Sequence, residues 1–168
     1  MIAYTALETF IPPWDPENEI VTLDGLLCPA IFRGPPTEEG WNYLVLHDIP
    51  KTFFDDLDYL LGQVEDETEY QILAVVREPT QSDVLGFTDE RFDFKGYDLV
   101  EDETGISALT NCGGFPLAFS DGELSECGLV PDFENAYRIR DLLKQQYPDE
   151  HHANCAVWAI WRMREEEA

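Results

Sequence analysis

The chain has 168 residues, with 35 Asp and Glu against 10 Lys and Arg and a formal net charge of −25 at pH 7. A surface this negative repels nucleic-acid phosphates and anionic lipid, which excludes both as expected partners, and it attracts a basic protein. At 44% hydrophobic and 12% aromatic, the chain is too rich in core-forming side chains for acidic disorder, so one globular domain over 1–168 is expected.

Residues 1–10 alternate weakly and predict an edge strand, which IPPWDPENE (11–19) ends because its prolines fix φ and remove donors. Residues 19–34 read as one or two short strands with a turn at Asp24-Gly25, and WNYLVLH (41–47) as another strand. The spacing of Phe53, Phe54, Leu57, Leu60, Leu61 and Val64 predicts a helix over 52–64, with Asp55, Asp56 and Asp58 on its polar side and Gly62 near its end. An acidic loop, EDETE (65–69), follows. YQILAVVR (70–77) is apolar at consecutive positions and suits a strand buried on both faces.

REPTQSD (77–83) reads as a loop. Phe92, Phe94, Tyr97 and Leu99 alternate with charges and predict a strand over 91–100 with one wet face; the phase reverses at Gly96, which predicts a bulge there. Ser120 and Glu123 have capping-box spacing and predict a short helix within 119–128. Pro131-Asp132 opens the strongest helix, 132–146, with Asp132 as N-cap and Pro148 beyond its end. NCAVWAIWRM (154–163) predicts an inner strand with Cys155, Val157, Ala159 and Trp161 on one face and Ala156, Trp158, Ile160 and Arg162 on the other. Strands before, between and after two main helices, without βαβ alternation, imply an α+β fold with a mixed or largely antiparallel sheet.

The four cysteines, Cys28, Cys112, Cys127 and Cys155, lie far apart with no CxxC pair, and MIAYTALETF lacks the basic start and apolar run of a secretion signal. Apolar runs stay well below the roughly 20 residues of a membrane span. Unbridged thiols and a cytoplasmic location are therefore expected.

The most function-like stretch is GISALTNCGGF (105–115). Cys112 there could serve as a nucleophile, with the amides of Gly113 and Gly114 as oxyanion donors and His151 or His152 as base. Electrostatics oppose this: between Lys95 and Arg138 there are nine acids and no Lys or Arg, and negative surroundings keep a thiol protonated. His151, His152 and Cys155 are possible zinc ligands, but adjacent histidines on a strand point to opposite faces, so no metal site is expected. Arg140 falls inside the apolar stripe of helix 132–146, where an arginine snorkels, pairs with a carboxylate, or holds an anionic ligand. No phosphate loop, dinucleotide fingerprint or metalloprotease motif is present, and no cofactor is expected.

Three readings follow. The first is a non-enzymatic protein-binding domain whose acidic face occludes a basic partner, as an immunity protein against a nuclease toxin or a nucleic-acid mimic would. Its contact residues would be Asp55, Asp56 and Asp58 on helix 52–64, with Asp98, Glu101, Asp102 and Glu103. The second is a thiol enzyme or small-ligand protein with Cys112, His151 or His152, and Arg140 around one pocket. The third is an acidic housekeeping domain, its charge reflecting solubility or a salty host.

Overall fold

A computed structural model describes residues 2–8, 44–45, 52–64, 70–101, 105–110 and 114–165. The elements in chain order are β1 (Ala3–Glu8), β2 (Leu44–Val45), β3 (Thr52–Phe53), α1 (Leu57–Gln63), β4 (Tyr70–Arg77), α2 (Gln81–Gly86), β5 (Phe92–Glu101), α3 (Phe133–Gln146) and β6 (Cys155–Met163). Four strands form one sheet in the order β1-β4-β6-β5, every neighbouring pair antiparallel, while β2 and β3 pair separately. The fold is α+β. It has one main helix, α3, of 14 residues; the expected second, α1, has seven.

β4 and β6 are the inner strands, as their two-faced apolarity predicts. On one face Ala74, Val76, Val157, Ala159 and Trp161 meet Leu57 and Leu60 of α1 and Ala136, Ile139 and Leu143 of α3. On the other, Leu73, Val75, Ala156, Trp158 and Ile160 cluster with Ala3, Phe53 and Leu129. Trp158 is fully buried there and stacks on Phe53, ring centroids 5.3 Å apart. At about 1.5–3 kcal/mol for each fully buried large apolar side chain, both faces contribute to holding the sheet.

Local chemistry sets several boundaries. The Asp132 carboxylate accepts from the Asn135 N–H and caps α3 as predicted. Gly96 sits at a register shift in the β5–β6 pairing, with φ 135°, so the predicted bulge is present. Residues 52–56 are not helical: Phe53 lies in β3, and Phe54 exchanges two 2.7 Å backbone hydrogen bonds with Tyr4. Phe53 and Phe54 belong to different apolar clusters, an alternation that extended chain provides and a helical stripe does not.

Residues 77–83 are not a continuous loop either. Thr80 and Asp83 form a reciprocal capping box that starts α2. Over 119–128 the Ser120–Glu123 box starts a single 3₁₀ turn, Asp121–Glu123. The strands expected within 19–34 and the acidic loop 65–69 lie outside the described residues; of 41–47, Leu44 and Val45 are described and extended.

Candidate functional site

Asp56 is the N-cap of α1, its carboxylate accepting from the Tyr59 N–H at 3.0 Å. Asp55, Asp56 and Asp58 are all exposed and make no ion pair with described residues. The Tyr4–Phe54 backbone pairing fixes this first turn against β1. Across the sheet, the loop from α2 to β5 carries Asp89 and Glu90, and Asp89 accepts from Arg91 Nε at 2.9 Å and from Nη2 at 2.7 Å.

Aromatic packing brings the two acidic segments together. Tyr4 on β1 and Phe92 on β5 have ring centroids 6.1 Å apart. Burial pushes the Tyr4 phenol above its ordinary pKa, and the nearby carboxylates of Asp89 and Asp56 push it further while Arg91 opposes them. Arg91 in turn is held in its charged form first by its hydrogen bonds to Asp89, with Asp58 adding. Asp56 and Asp58 thus lie near Asp89 around Tyr4 and Arg91, with Asp55 and Glu90 as their exposed neighbours in the chain. Sequence reasoning missed Asp89, Glu90 and Tyr4, because the contacts that gather them are long-range.

The second predicted segment is different. Asp98 is 0% exposed and Glu101 2%, which removes both from any contact surface. Asp98 accepts from Ser107 Oγ at 2.5 Å and from the Leu99 N–H at 2.8 Å. Glu101 donates its N–H to the Ile106 carbonyl, and its carboxylate lies 3.6 Å from His152 Nδ1. The 91–100 alternation predicts a wet face, yet Tyr97, Asp98, Leu99, Val100 and Glu101 are all buried, and residues 105–108 and Val130 pair with Tyr97, Leu99 and Glu101 along the edge of β5. Asp102 and Glu103 lie outside the described residues.

The central residue of the catalytic alternative, Cys112, is not among the described residues, and His151 is exposed in a 3₁₀ turn, His151–Ala153. Arg140 pairs with Glu78 at 2.8 Å and Asp141 at 3.1 Å and lies 4.7 Å from the Tyr137 ring centroid, the carboxylate pairing that its place in the stripe anticipates. The surface of the described residues includes two shallow depressions. One of about 390 Å³ is lined by Lys95, Arg162 and Arg164 among others. The other, about 410 Å³, is lined by Tyr147, Asp149, Glu150 and His151 among others. Neither is lined by Arg140 or His152. Among the described residues no group of three or more His, Cys, Asp or Glu could hold a metal ion, and no helix is long and apolar enough to cross a membrane.

Comparisons with protein-family models, with curated proteins and with solved structures found no match.

Proposed function

We propose that this chain is a non-enzymatic binding domain that uses the acidic rim around Tyr4 to dock and occlude a basic protein, in the manner of an immunity protein or a nucleic-acid mimic. The supporting observation is the approach of Asp56 and Asp58 to Asp89 around Tyr4, with the exposed Asp55 and Glu90 next to them in the chain; Asp89 takes a short ion pair with Arg91. Carboxylates left without cationic partners repel one another, and apart from the capping of α1 by Asp56 no hydrogen bond ties those of Asp55 and Asp58 to the fold among the described residues. Their grouping on one rim supplies a steering field for a positively charged surface. The same reading puts the protein in the cytoplasm, with Asp98 and Glu101 as internal supports of β5 rather than contacts.

The test is capture from lysate of the source organism at low salt, with release at high salt. A basic captured protein whose association slows when Asp55, Asp58 and Glu90 are neutralised together supports the reading. A partner that is not basic, or one indifferent to salt, removes it.

A further inference from the structure

Glu101 ends β5 and is buried, with the buried Cys155 of β6 as its register partner. Its backbone also holds the segment that covers β5. The Glu101 N–H donates to the Ile106 carbonyl at 3.0 Å, and the Glu101 carbonyl accepts from the Gly105 N–H at 2.9 Å. The 3₁₀ turn His151–Ala153, between α3 and β6, stands beside this end of β5. His152 Nδ1 lies 3.6 Å from the Glu101 carboxylate, shielded from water and with no hydrogen-bond partner among the described residues. That separation is too long for a hydrogen bond.

A neutral imidazole has one proton for two nitrogens. With the proton on Nε2, the Nδ1 lone pair points toward a carboxylate; imidazolium donates from both nitrogens. Proton uptake therefore turns an unmade contact into a charge-assisted pair away from water, the stronger class of hydrogen bond. The other charged and titratable groups around the turn are engaged or turned elsewhere. Asp98 lies on the opposite side of β5 by strand alternation and accepts from Ser107. From α3 and the residues after it, Lys144, Tyr147, Asp149, Glu150 and His151 line the 410 Å³ depression, which His152 does not line. The Cys155 thiol of β6 donates to the Ala153 carbonyl at 3.7 Å. Asp102 and Glu103, next in the chain, are outside the described residues.

We propose that His152 and Glu101 form a proton-operated latch: charged His152 holds the turn 151–153 on the end of β5, and neutral His152 lets it go. The latch is independent of the function proposed above. Since the backbone of Glu101 pairs with residues 105 and 106, holding Glu101 also steadies the segment whose Ser107 keeps Asp98 inside. It closes as pH falls through the imidazole range, about 6.5 for an ordinary histidine.

The test follows amide hydrogen exchange of the full chain between about pH 7.5 and 5.5, a range above ordinary carboxylate values. Protection is taken relative to the unfolded chain, which removes the intrinsic pH dependence of exchange. The amides read are those of Glu101 and Gly105, and that of Asn154, which donates to the His151 carbonyl at the end of the turn. Their protection should rise roughly tenfold as pH falls over this range, the scale of one charge-assisted hydrogen bond. The rise should vanish in His152→Gln and persist in His151→Gln, the exposed neighbour.

Glu101→Gln should also abolish the rise. If that buried variant does not fold, His152→Gln carries the test, because 33% of the His152 side chain is exposed. No rise in the wild type, or an equal rise in His152→Gln, overturns the latch. A rise lost in His151→Gln but kept in His152→Gln overturns it as well.

Discussion

Tyr4 and Phe92 belong to the two opposite edge strands of the sheet, yet their ring centroids lie 6.1 Å apart. Tyr4, Ala74, Trp161 and Phe94 occupy one register row across the four strands. The methyl side chain of Ala74, fully buried, leaves room above β4 for larger rings to lean inward. The consequence is electrostatic. Acids that follow β3 and acids that precede β5, more than 30 residues apart in the chain, come to share one rim.

The bulge in β5 depends on Gly96. A Cβ there would stand 2.9 Å from the Val130 carbonyl oxygen and 3.0 Å from Leu129 Cβ, at a φ of 135° that L side chains rarely adopt. Gly96→Ala is expected to destabilise the fold by about 1–3 kcal/mol in urea denaturation. Gly62 is the contrast: it lies inside α1, and a methyl group added there would meet nothing within 4 Å. Gly62→Ala should stabilise by about 0.5–1 kcal/mol, because alanine loses less backbone freedom in a helix.

Glu78 joins the sheet to α3. Its backbone N–H donates to the Val157 carbonyl at 2.7 Å, and its carboxylate accepts from the Val157 N–H at 2.9 Å and from Arg140 at 2.8 Å. The side chain thus replaces a ladder acceptor just past β4, where Glu78 itself turns to a left-handed φ of 48°. Glu78→Ala leaves the Val157 N–H and Arg140 without these acceptors and should cost about 2–3 kcal/mol. Glu78→Gln retains a carbonyl for Val157 and should cost about 1 kcal/mol. Equal losses for the two variants would mean that the bond to Val157 contributes nothing.

The inner strands and α3 are legible in the sequence because their signals are local: apolar runs of strand length, a one-sided helical stripe, and a cap at Asp132. Phe53 and Phe54 mislead, since their spacing fits a helical face as well as an alternating strand. The Thr80–Asp83 box has a readable spacing, but it stands inside a segment whose composition reads as loop. The burial of Asp98 follows from Ser107, nine residues away, and from covering segments that no period in β5 announces. Of the candidate site, Asp58 is legible on the polar side of a helix, whereas Asp89 joins it through tertiary packing.

Tyr137 supplies a pH test of how α3 docks. Its hydroxyl donates to the Pro79 carbonyl at 2.7 Å, and burial first, then the Glu78 carboxylate, push its pKa up to about 12. The folded protein therefore holds this proton more tightly than the unfolded chain, whose tyrosines ionise near the ordinary value of about 10. Its contribution to stability is complete below about pH 10 and is lost as pH rises toward about 12. Tyr137→Phe should flatten the fall in stability over that window. Tyrosinate absorbance should show at least one phenol fewer titrating near pH 10 in the native wild type than in the denatured chain. Tyr4 and Tyr97, also raised by burial, add in the same direction.

Neutralising the rim should separate recognition from stability. Asp55, Asp58 and Glu90 are exposed, and Asp55 and Asp58 are not the N-cap. The triple change Asp55→Asn, Asp58→Asn and Glu90→Gln should leave urea stability within about 0.5 kcal/mol, as expected for surface sites of this kind.

The most direct measurement is the association rate of the captured basic partner with the wild type and with that triple variant, between about 50 and 500 mM salt, where the screening length falls from about 14 to about 4 Å. Docking through the acidic rim predicts a rate that falls steeply with salt for the wild type. It predicts a rate roughly tenfold lower for the variant at low salt, with a shallower salt slope and little change in dissociation. A wild-type association rate that is flat across the salt range, or a variant that associates as fast as the wild type at low salt, would contradict it.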